Sequence, residues 1–410
     1  MKTLIVLECE RYIQPFMRAM LNVAKEYYDK IIIITNPLVK GDSINDSQIA
    51  HIEIDDKTRK KSIISAPFKF FTIDSLRQTF KCISQGRLNN EYLKYLKLYL
   101  CYGTAFYNEA LPHVKEALKN GEVHMLSCWF YVDAWAVGKF KKNYPQIKAY
   151  SLAHSFEIDP LKNNFVDLTF NEWKHRYLDR IFFISNKMRD IYNETTHYKF
   201  ATKYAKQMQV SYLGCIKRFE GLNPIKDKQK IRIVSCSYVH PVKRIDLIME
   251  TLKEWTNCSI EWIHMGNGIL LEEMQERAVK VMKENCNITI DFKGYVSNED
   301  VQKYYTEEQV DIFINLSSSE GVPVAIMEAI AYGIPVIATD VGGVSEIIDK
   351  KHGILLSSDA KAEEIKKELE KFIERYKCDA KNMRNSAHEF WKYRFDAKKN
   401  YVSFFNNIEL

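Results

Sequence analysis

The sequence predicts an α/β protein built from two Rossmann-like domains. Three observations carry this. Short apolar runs alternate with helical patterns from end to end, 410 residues are too many for one ordinary core, and a polar stretch after Gly214 divides the chain near its middle. Buried strands separated by helices point to parallel sheets, because a parallel pair needs a crossover and helices then cover both faces.

In the first half, Thr3–Leu7 reads as a strand, Ile13–Tyr27 has helical spacing, and Ile31–Ile34 is a fully buried strand stopped at Asn36-Pro37. Residues 40–120 read as mostly helical. Strands resume at Val123–Ser127, Ala149–Ala153, Arg180–Ser185 and Gln209–Leu213. In the second half, strands read at Ile231–Cys236, Ser259–Met265, Ile288–Phe292, Val310–Leu316, Pro335–Thr339 and Gly353–Leu356, with a helical pattern in every gap. The expected boundaries are a first domain over 1–218, a linker over 219–230 and a second domain over 231–385. A terminal helix over 386–410, aromatic on one face, should pack back on the first domain.

Composition narrows the function. With 59 Lys+Arg against 53 Asp+Glu the formal charge is +6, a mild tilt toward anionic partners and far from a nucleic-acid-binding signature. The nine cysteines are widely spaced and form no C-x-x-C pair, which argues against a disulfide framework or a zinc site. The opening run Leu4–Leu7 stops at Glu8, as a buried strand would and a secretory segment would not. No run reaches the roughly 20 apolar residues of a membrane span, so the expected location is the cytoplasm.

The chemistry is concentrated at strand-to-helix turns of the second half. After the strand ending near Leu316 come Ser317-Ser318-Ser319-Glu320-Gly321-Val322-Pro323, then an apolar helix whose one charge is Glu328. A carboxylate on a helix buried nearly all round needs hydrogen-bond donors. Ribose hydroxyls would supply them, and so would neighbouring backbone amides. Glu320 stands at the helix mouth, either holding a ligand beside the amides of Gly321 and Val322 or simply solvated there. After the strand ending near Cys236, Ser237-Tyr238-Val239-His240-Pro241-Val242-Lys243-Arg244 leads into a helix expected to begin near Pro241, with Lys243 in its first turn facing a diphosphate. Outside such a setting, a Lys-Arg pair opening a helix is ordinary surface. Gly266-Asn267-Gly268 is a tight turn after the next strand, and Gly294-Tyr295-Val296 ends the one after it.

Glu320 and Glu328, with seven residues between them inside SSSEGVPVAIMEAIAYGIPVIATDVGGVSEII, resemble the E-x7-E segment of the family 4 retaining glycosyltransferases. That family has the GT-B fold, two Rossmann-like domains facing across a cleft, which implies that the first domain here is the acceptor side and the second the nucleotide-sugar donor side. The likeness runs at motif strength over 231–356 and weakly through the first half. It implies that Glu328 binds the ribose of a nucleotide-sugar donor, and that Glu320 with Gly321 and Val322 holds the donor sugar. It also implies that Lys243, with Arg244 and Ser237 beside it, meets the diphosphate. Gly266 would line the donor pocket and Tyr295-Val296 would hold the base. His154, at the end of the Tyr150–Ala153 run, resembles the family's cleft histidine, although Ser155 and Glu157 replace the family's Gly and Asp. The implied catalytic set is Glu320, Lys243 and His154. Two departures stand out. The family's arginine five positions before the lysine is Tyr238 here, and Glu8-Cys9-Glu10-Arg11 stands in place of the usual glycine-rich loop after the first strand.

The expected reaction is transfer of a sugar with retention, from a UDP-sugar or else a GDP-sugar, to a hydroxyl of a glycan or lipid-linked acceptor in bacterial surface-polysaccharide synthesis. No cofactor is expected, and no metal site, since no D-x-D motif sits in a suitable loop. A non-catalytic nucleotide-sugar-binding subunit and another GT-B enzyme such as a sugar epimerase stay open. Between Arg59 and Tyr99, nine Lys/Arg interleave with Phe68, Phe70, Phe71, Phe80, Tyr92, Tyr95 and Tyr99. This suits peripheral contact with an anionic membrane or a phosphate-linked lipid acceptor, or else a basic solvated face over an aromatic core.

Overall fold

The computed structural model describes residues 1–39, 44, 46–84, 86, 88–159, 170–195, 202–226 and 230–409. The chain forms two compact units, Met1–Tyr212 with Tyr401–Leu410, and Leu213–Asn400.

In the first unit, β1 (Lys2–Glu8), β2 (Lys30–Thr35), β3 (Ile49–Glu53), β4 (Glu122–Ser127), β5 (Lys148–Ala153), β6 (Arg180–Phe183) and β7 (Met208–Val210) form one sheet in the order β3-β2-β1-β4-β5-β6-β7. Every pairing is parallel. The described residues of 40–120 are mostly helical as read, and the strand β3 is an addition to that reading. It is an edge strand whose outer positions Ala50 and Glu53 are exposed, so its sequence lacks the continuous apolar run that marks a buried parallel strand. The central strands have that run: Leu4, Ile5, Val6 and Leu7 are fully buried.

In the second unit, β8 (Lys230–Cys236), β9 (Ser259–Met265), β10 (Ile288–Phe292), β11 (Ile312–Asn315), β12 (Val336–Thr339) and β13 (Gly353–Leu356) run β10-β9-β8-β11-β12-β13, again all parallel. Its core joins Ile233, Trp262, Ile314 and Ile337 of the sheet to Ile248, Ile365 and Phe372 of the covering helices. In both sheets the order reverses beside the first strand, between β1 and β4 and between β8 and β11. That divergence leaves a crevice beyond the strands' carboxyl ends, where such sheets take ligands.

Residues 213–218, read as the end of the first domain, and 219–226, read as linker, are both part of the second unit. Cys215 bridges Asp396, and buried Asn223 donates to the Tyr305 and Glu308 carbonyls while accepting from Arg384. Asp227, Lys228 and Gln229 lie outside the described residues. The 33-residue helix Ala362–Arg394 is kinked at Asp379, and Trp391 donates from it to Cys215 Sγ. Residues 386–400 thus belong to the second unit. From Tyr401 onward the chain lies on the first unit, where Phe404 meets Phe182 and the Tyr150 hydroxyl donates to the Ile408 carbonyl at 2.9 Å.

Candidate functional site

The loops leaving β8 and β11 are joined where the second sheet diverges. The Ser318 amide and hydroxyl both donate to the Val242 carbonyl, at 2.8 and 3.2 Å. Arg244 binds the β11 loop through Nε to the Leu316 carbonyl and Nη2 to the Ser317 carbonyl, and reaches the Ser358 carbonyl through Nη1. These bonds accompany a left-handed backbone at Arg244 (φ 47°, ψ 46°), which costs a non-glycine residue about 1–2 kcal/mol. The expected helix start near Pro241 is therefore corrected. Pro241–Lys243 is a single 3₁₀ turn, and the α-helix runs Ile245–Lys253 because Arg244 breaks the path between them.

That break sets Lys243 beside the second loop. Its Nζ lies 2.7 Å from Glu320 Oε1, and the Asn315 amide donates to the same oxygen at 3.3 Å. Glu320 is buried while Lys243 is part exposed, so the ammonium stands at the edge of the pair that solvent can reach. The loop after β12 closes the other flank. Gly342 has φ 56°, and a Cβ there would meet the Glu320 carbonyl oxygen at 2.1 Å, so only glycine allows this approach. The Gly343 amide then donates to the Gly321 carbonyl at 2.7 Å.

Eight residues on, the helix Val324–Ala331 carries Glu328 into the interior. Its donor is the side-chain amide of Asn298, from the start of the helix Asn298–Glu307, in place of the backbone amides weighed from the sequence. Gln302 hydrogen-bonds Asn298 at 3.2 Å and accepts from the Tyr332 hydroxyl and the Arg218 amide, so a polar chain backs the carboxylate. Burial pushes the Glu328 carboxyl up to about 7, with the Asn298 and Gln302 amides and the Arg218 charge opposing.

The remaining loops meet along the same edge. The Gly266 amide donates to the Gly294 carbonyl at 2.8 Å, and a Cβ on Gly266 would strike the Ser237 carbonyl oxygen at 1.8 Å. The Val239 amide donates to the Asn267 carbonyl at 2.8 Å. Ser237, Gly266, Val296 and the exposed Tyr295 thus lie in loops of one sheet edge, with Val322 buried beside Glu320. Tyr238 is 55 % exposed and ring-stacked on His240. His154 lies in the other unit, buried after β5, with its ring 4.3 Å from that of Trp129 and its amide donating to Glu157 at 2.8 Å.

Asn315, Asn298 and Gln302 went unnoticed in the sequence. Asn315 ends an apolar strand one residue before the serine loop. Asn298 and Gln302 are spaced i, i+4 on a helix capped by Ser297, so they share a face, which their polar character alone did not flag. Among the described residues, no three His, Cys, Asp or Glu side chains are grouped to hold a metal ion.

Two parallel sheets of this order, with a charged turn at the divergence of the second, define a GT-B-type protein. Residues 221–390 match the model for glycosyl transferases group 1. The amylovoran biosynthesis glycosyltransferase AmsK of Erwinia amylovora is 27% identical over 128 residues, 30% of this chain and 30% of its own length. The putative teichuronic acid biosynthesis glycosyltransferase TuaC of Bacillus subtilis is 31% identical over 138 residues, 32% of this chain and 34% of its own. The matches therefore span about a third of these relatives. Among solved structures, the lipopolysaccharide outer core galactosyltransferase WaaB superposes over 100% of this chain and 99% of its own, with a TM-score of 0.66 and 14% identity. Anabaena HepE in complex with UDP does so over 99% of each chain, with a TM-score of 0.65 and 12% identity. These likenesses show the two-domain fold.

Proposed function

We propose that this protein is a retaining, metal-independent glycosyltransferase of bacterial surface-polysaccharide synthesis. It takes its sugar from a nucleotide diphosphate donor, UDP-sugar before GDP-sugar, and passes it to a hydroxyl of a glycan or lipid-linked acceptor. The observation that carries the reading is the pairing of Lys243 with Glu320 at the divergence of the second sheet, with Glu328 buried in the helix that follows. AmsK and TuaC are named for polysaccharide biosynthesis, and HepE is seen with UDP and UDP-glucose, which supports both the pathway class and the donor.

In this reading the Glu328 carboxylate accepts the ribose hydroxyls, exchanging the Asn298 amide for them. The Lys243 ammonium meets the diphosphate, and the Gly321 and Val322 amides with Glu320 hold the sugar. Charge developing on the leaving diphosphate is stabilised by Lys243 and fixed dipoles, which are strong because they need no reorganisation. The acceptor hydroxyl attacks from the face the diphosphate leaves, and a phosphate oxygen takes its proton. Arg244, with its guanidinium on three carbonyls, contributes by holding the Lys243 loop in place. His154 completes the catalytic set in the acceptor-side unit.

The location proposed is the cytoplasmic face of the membrane. Among the described residues no helix is long and apolar enough to cross a membrane. Peripheral contact is supported by Phe68, Phe71 and Phe80, which are 68–79 % exposed on the helices Asp56–Lys69 and Ile73–Ser84 and the turn between them, among Lys60, Lys61 and Arg77. Tyr92 and Tyr99 are core residues instead, so the basic aromatic stretch divides between the two readings its sequence allowed. A thermal-shift screen of nucleotide sugars tests the donor. A ligand at 100 times its Kd adds about 2.7 kcal/mol of stability, and no shift with any nucleotide diphosphate sugar contradicts the reading.

A further inference from the structure

The divergence of the first sheet also holds a pocket, of about 210 Å³, built within that unit alone. Glu10 reaches it from beyond β1, Asn36 from beyond β2, Trp129 and Tyr131 from beyond β4, and Phe156 and Glu157 from beyond β5. It occupies the position where the second unit presents glycines and Lys243. Its chemistry is the opposite, acidic and aromatic.

The wall is preorganised. Glu157 is buried, and its Oε1 accepts from the amides of Phe130 and His154 at 3.1 and 2.8 Å. Its Oε2 has no hydrogen-bond partner among the described residues, an unmet acceptor in a group that lines the pocket. Glu8 accepts from the Trp129 indole N–H at 2.8 Å, and Asp133 accepts from the Trp129 backbone amide at 3.0 Å, so the residue is held at its ring and at its backbone. The carboxyl groups lining this space are Glu10 and Glu157, with Glu8 and Asp133 buried behind Trp129. The basic side chains packed near them are His154 and Lys174, and the buried Lys174 Nζ is directed to the Phe130 carbonyl at 2.7 Å. Burial and the neighbouring Glu157 push the Glu10 carboxyl above its ordinary range, and the carboxylate of a ligand here would face the same two acids.

We propose that this pocket takes a single ring of the acceptor, a neutral or amino sugar, and rejects uronic acids and sugar phosphates. The apolar face of a pyranose would lie against the Trp129, Tyr131 and Phe156 surfaces, and its hydroxyl or ammonium hydrogens would meet Glu10 and Glu157. At about 210 Å³ the space lies below the roughly 300–1,000 Å³ of drug-sized pockets and suits one ring. The inference rests on the glycosyltransferase reading, since it names the class of sugar that accepts.

The test is saturation-transfer NMR and titration of the full chain with methyl glucoside, methyl glucosaminide and methyl glucuronide. The first two should bind, and the glucuronide should bind at least about tenfold more weakly. Phe156→Ala, at a half-exposed position that leaves the fold intact, should weaken glucoside binding about tenfold. Glu10→Gln should narrow the glucoside-to-glucuronide preference. The proposal is overturned by equal or tighter glucuronide binding, by no glycoside binding to the unmodified chain, or by glucoside affinity unchanged in both variants. A parallel titration with UDP keeps the two readings apart. Glucoside binding without UDP binding contradicts the donor site alone, and UDP binding without glycoside binding contradicts the pocket alone.

Discussion

Lys243 Nζ and Glu320 Oε1 lie 2.7 Å apart, although 77 positions separate them in the chain. Their meeting follows from the adjacency of β8 and β11, strands that neighbour each other only because the sheet order reverses there. The pair is held in register by Arg244 and Ser318, which stitch one loop to the other. In the proposed donor site, the Lys243 ammonium would be oriented by a buried carboxylate before a diphosphate arrives.

Lys243→Ala should therefore weaken nucleotide diphosphate binding and lower kcat/KM by at least about 100-fold, or about 3 kcal/mol, comparable to losing an oxyanion donor. Titration with UDP and initial rates on the same preparation check it. Unchanged affinity removes the diphosphate from this loop.

Tyr238→Arg should tighten UDP binding. Tyr238 is exposed beside this loop, and the Arg244 guanidinium is already engaged by the Leu316, Ser317 and Ser358 carbonyls. One cation is a thin complement for a diphosphate. Isothermal titration of the two proteins decides it, and weaker binding in the variant contradicts the assignment of Lys243 as the principal cation.

The sequence displayed the buried parallel strands well, since runs such as Ile31–Ile34 and Leu4–Leu7 have one meaning in an α/β chain. Strand β3 escaped because an edge strand needs no such run. The Lys243 turn was misplaced for a different reason. Pro241 is a strong helix-start signal, and nothing local reveals that Arg244 is held left-handed by carbonyls more than 70 positions away. Glu328 was legible as a costly buried charge, while its Asn298 partner was not, because that contact depends on tertiary packing of another helix. The acidic pocket was half visible: Glu8-Cys9-Glu10 stood out as a departure after β1, but Trp129 and Glu157 join it only through strand order.

Glu328→Gln should weaken nucleotide binding yet leave the protein at least as stable at pH 8. The carboxyl is raised from 4.5 to about 7 in the folded chain, so the folded state holds the extra proton and stability falls as pH rises between those values. The loss is complete above pH 7 and amounts to at most about 3 kcal/mol. Denaturant titrations at pH 5 and pH 8 should show the variant gaining relative to the unmodified chain at pH 8. A variant that is less stable at pH 8 and binds nucleotide normally gives Glu328 a purely structural role.

Membrane contact should depend on the exposed phenylalanines. Replacing Phe68, Phe71 and Phe80 together by Ser should abolish co-sedimentation with vesicles containing phosphatidylglycerol while leaving UDP affinity unaltered, because all three lie in the unit without the donor loops. Equal sedimentation of the triple variant contradicts this surface as the contact.

The most direct measurement is the anomeric configuration of the product. The purified chain is incubated in excess EDTA with α-linked UDP-sugars and a lipid-linked or glycan acceptor, and transfer is followed by proton NMR of the anomeric signal. The account predicts UDP release coupled to an α-linked product. A β-linked product, or no release of UDP from any donor under conditions where UDP itself binds, contradicts it.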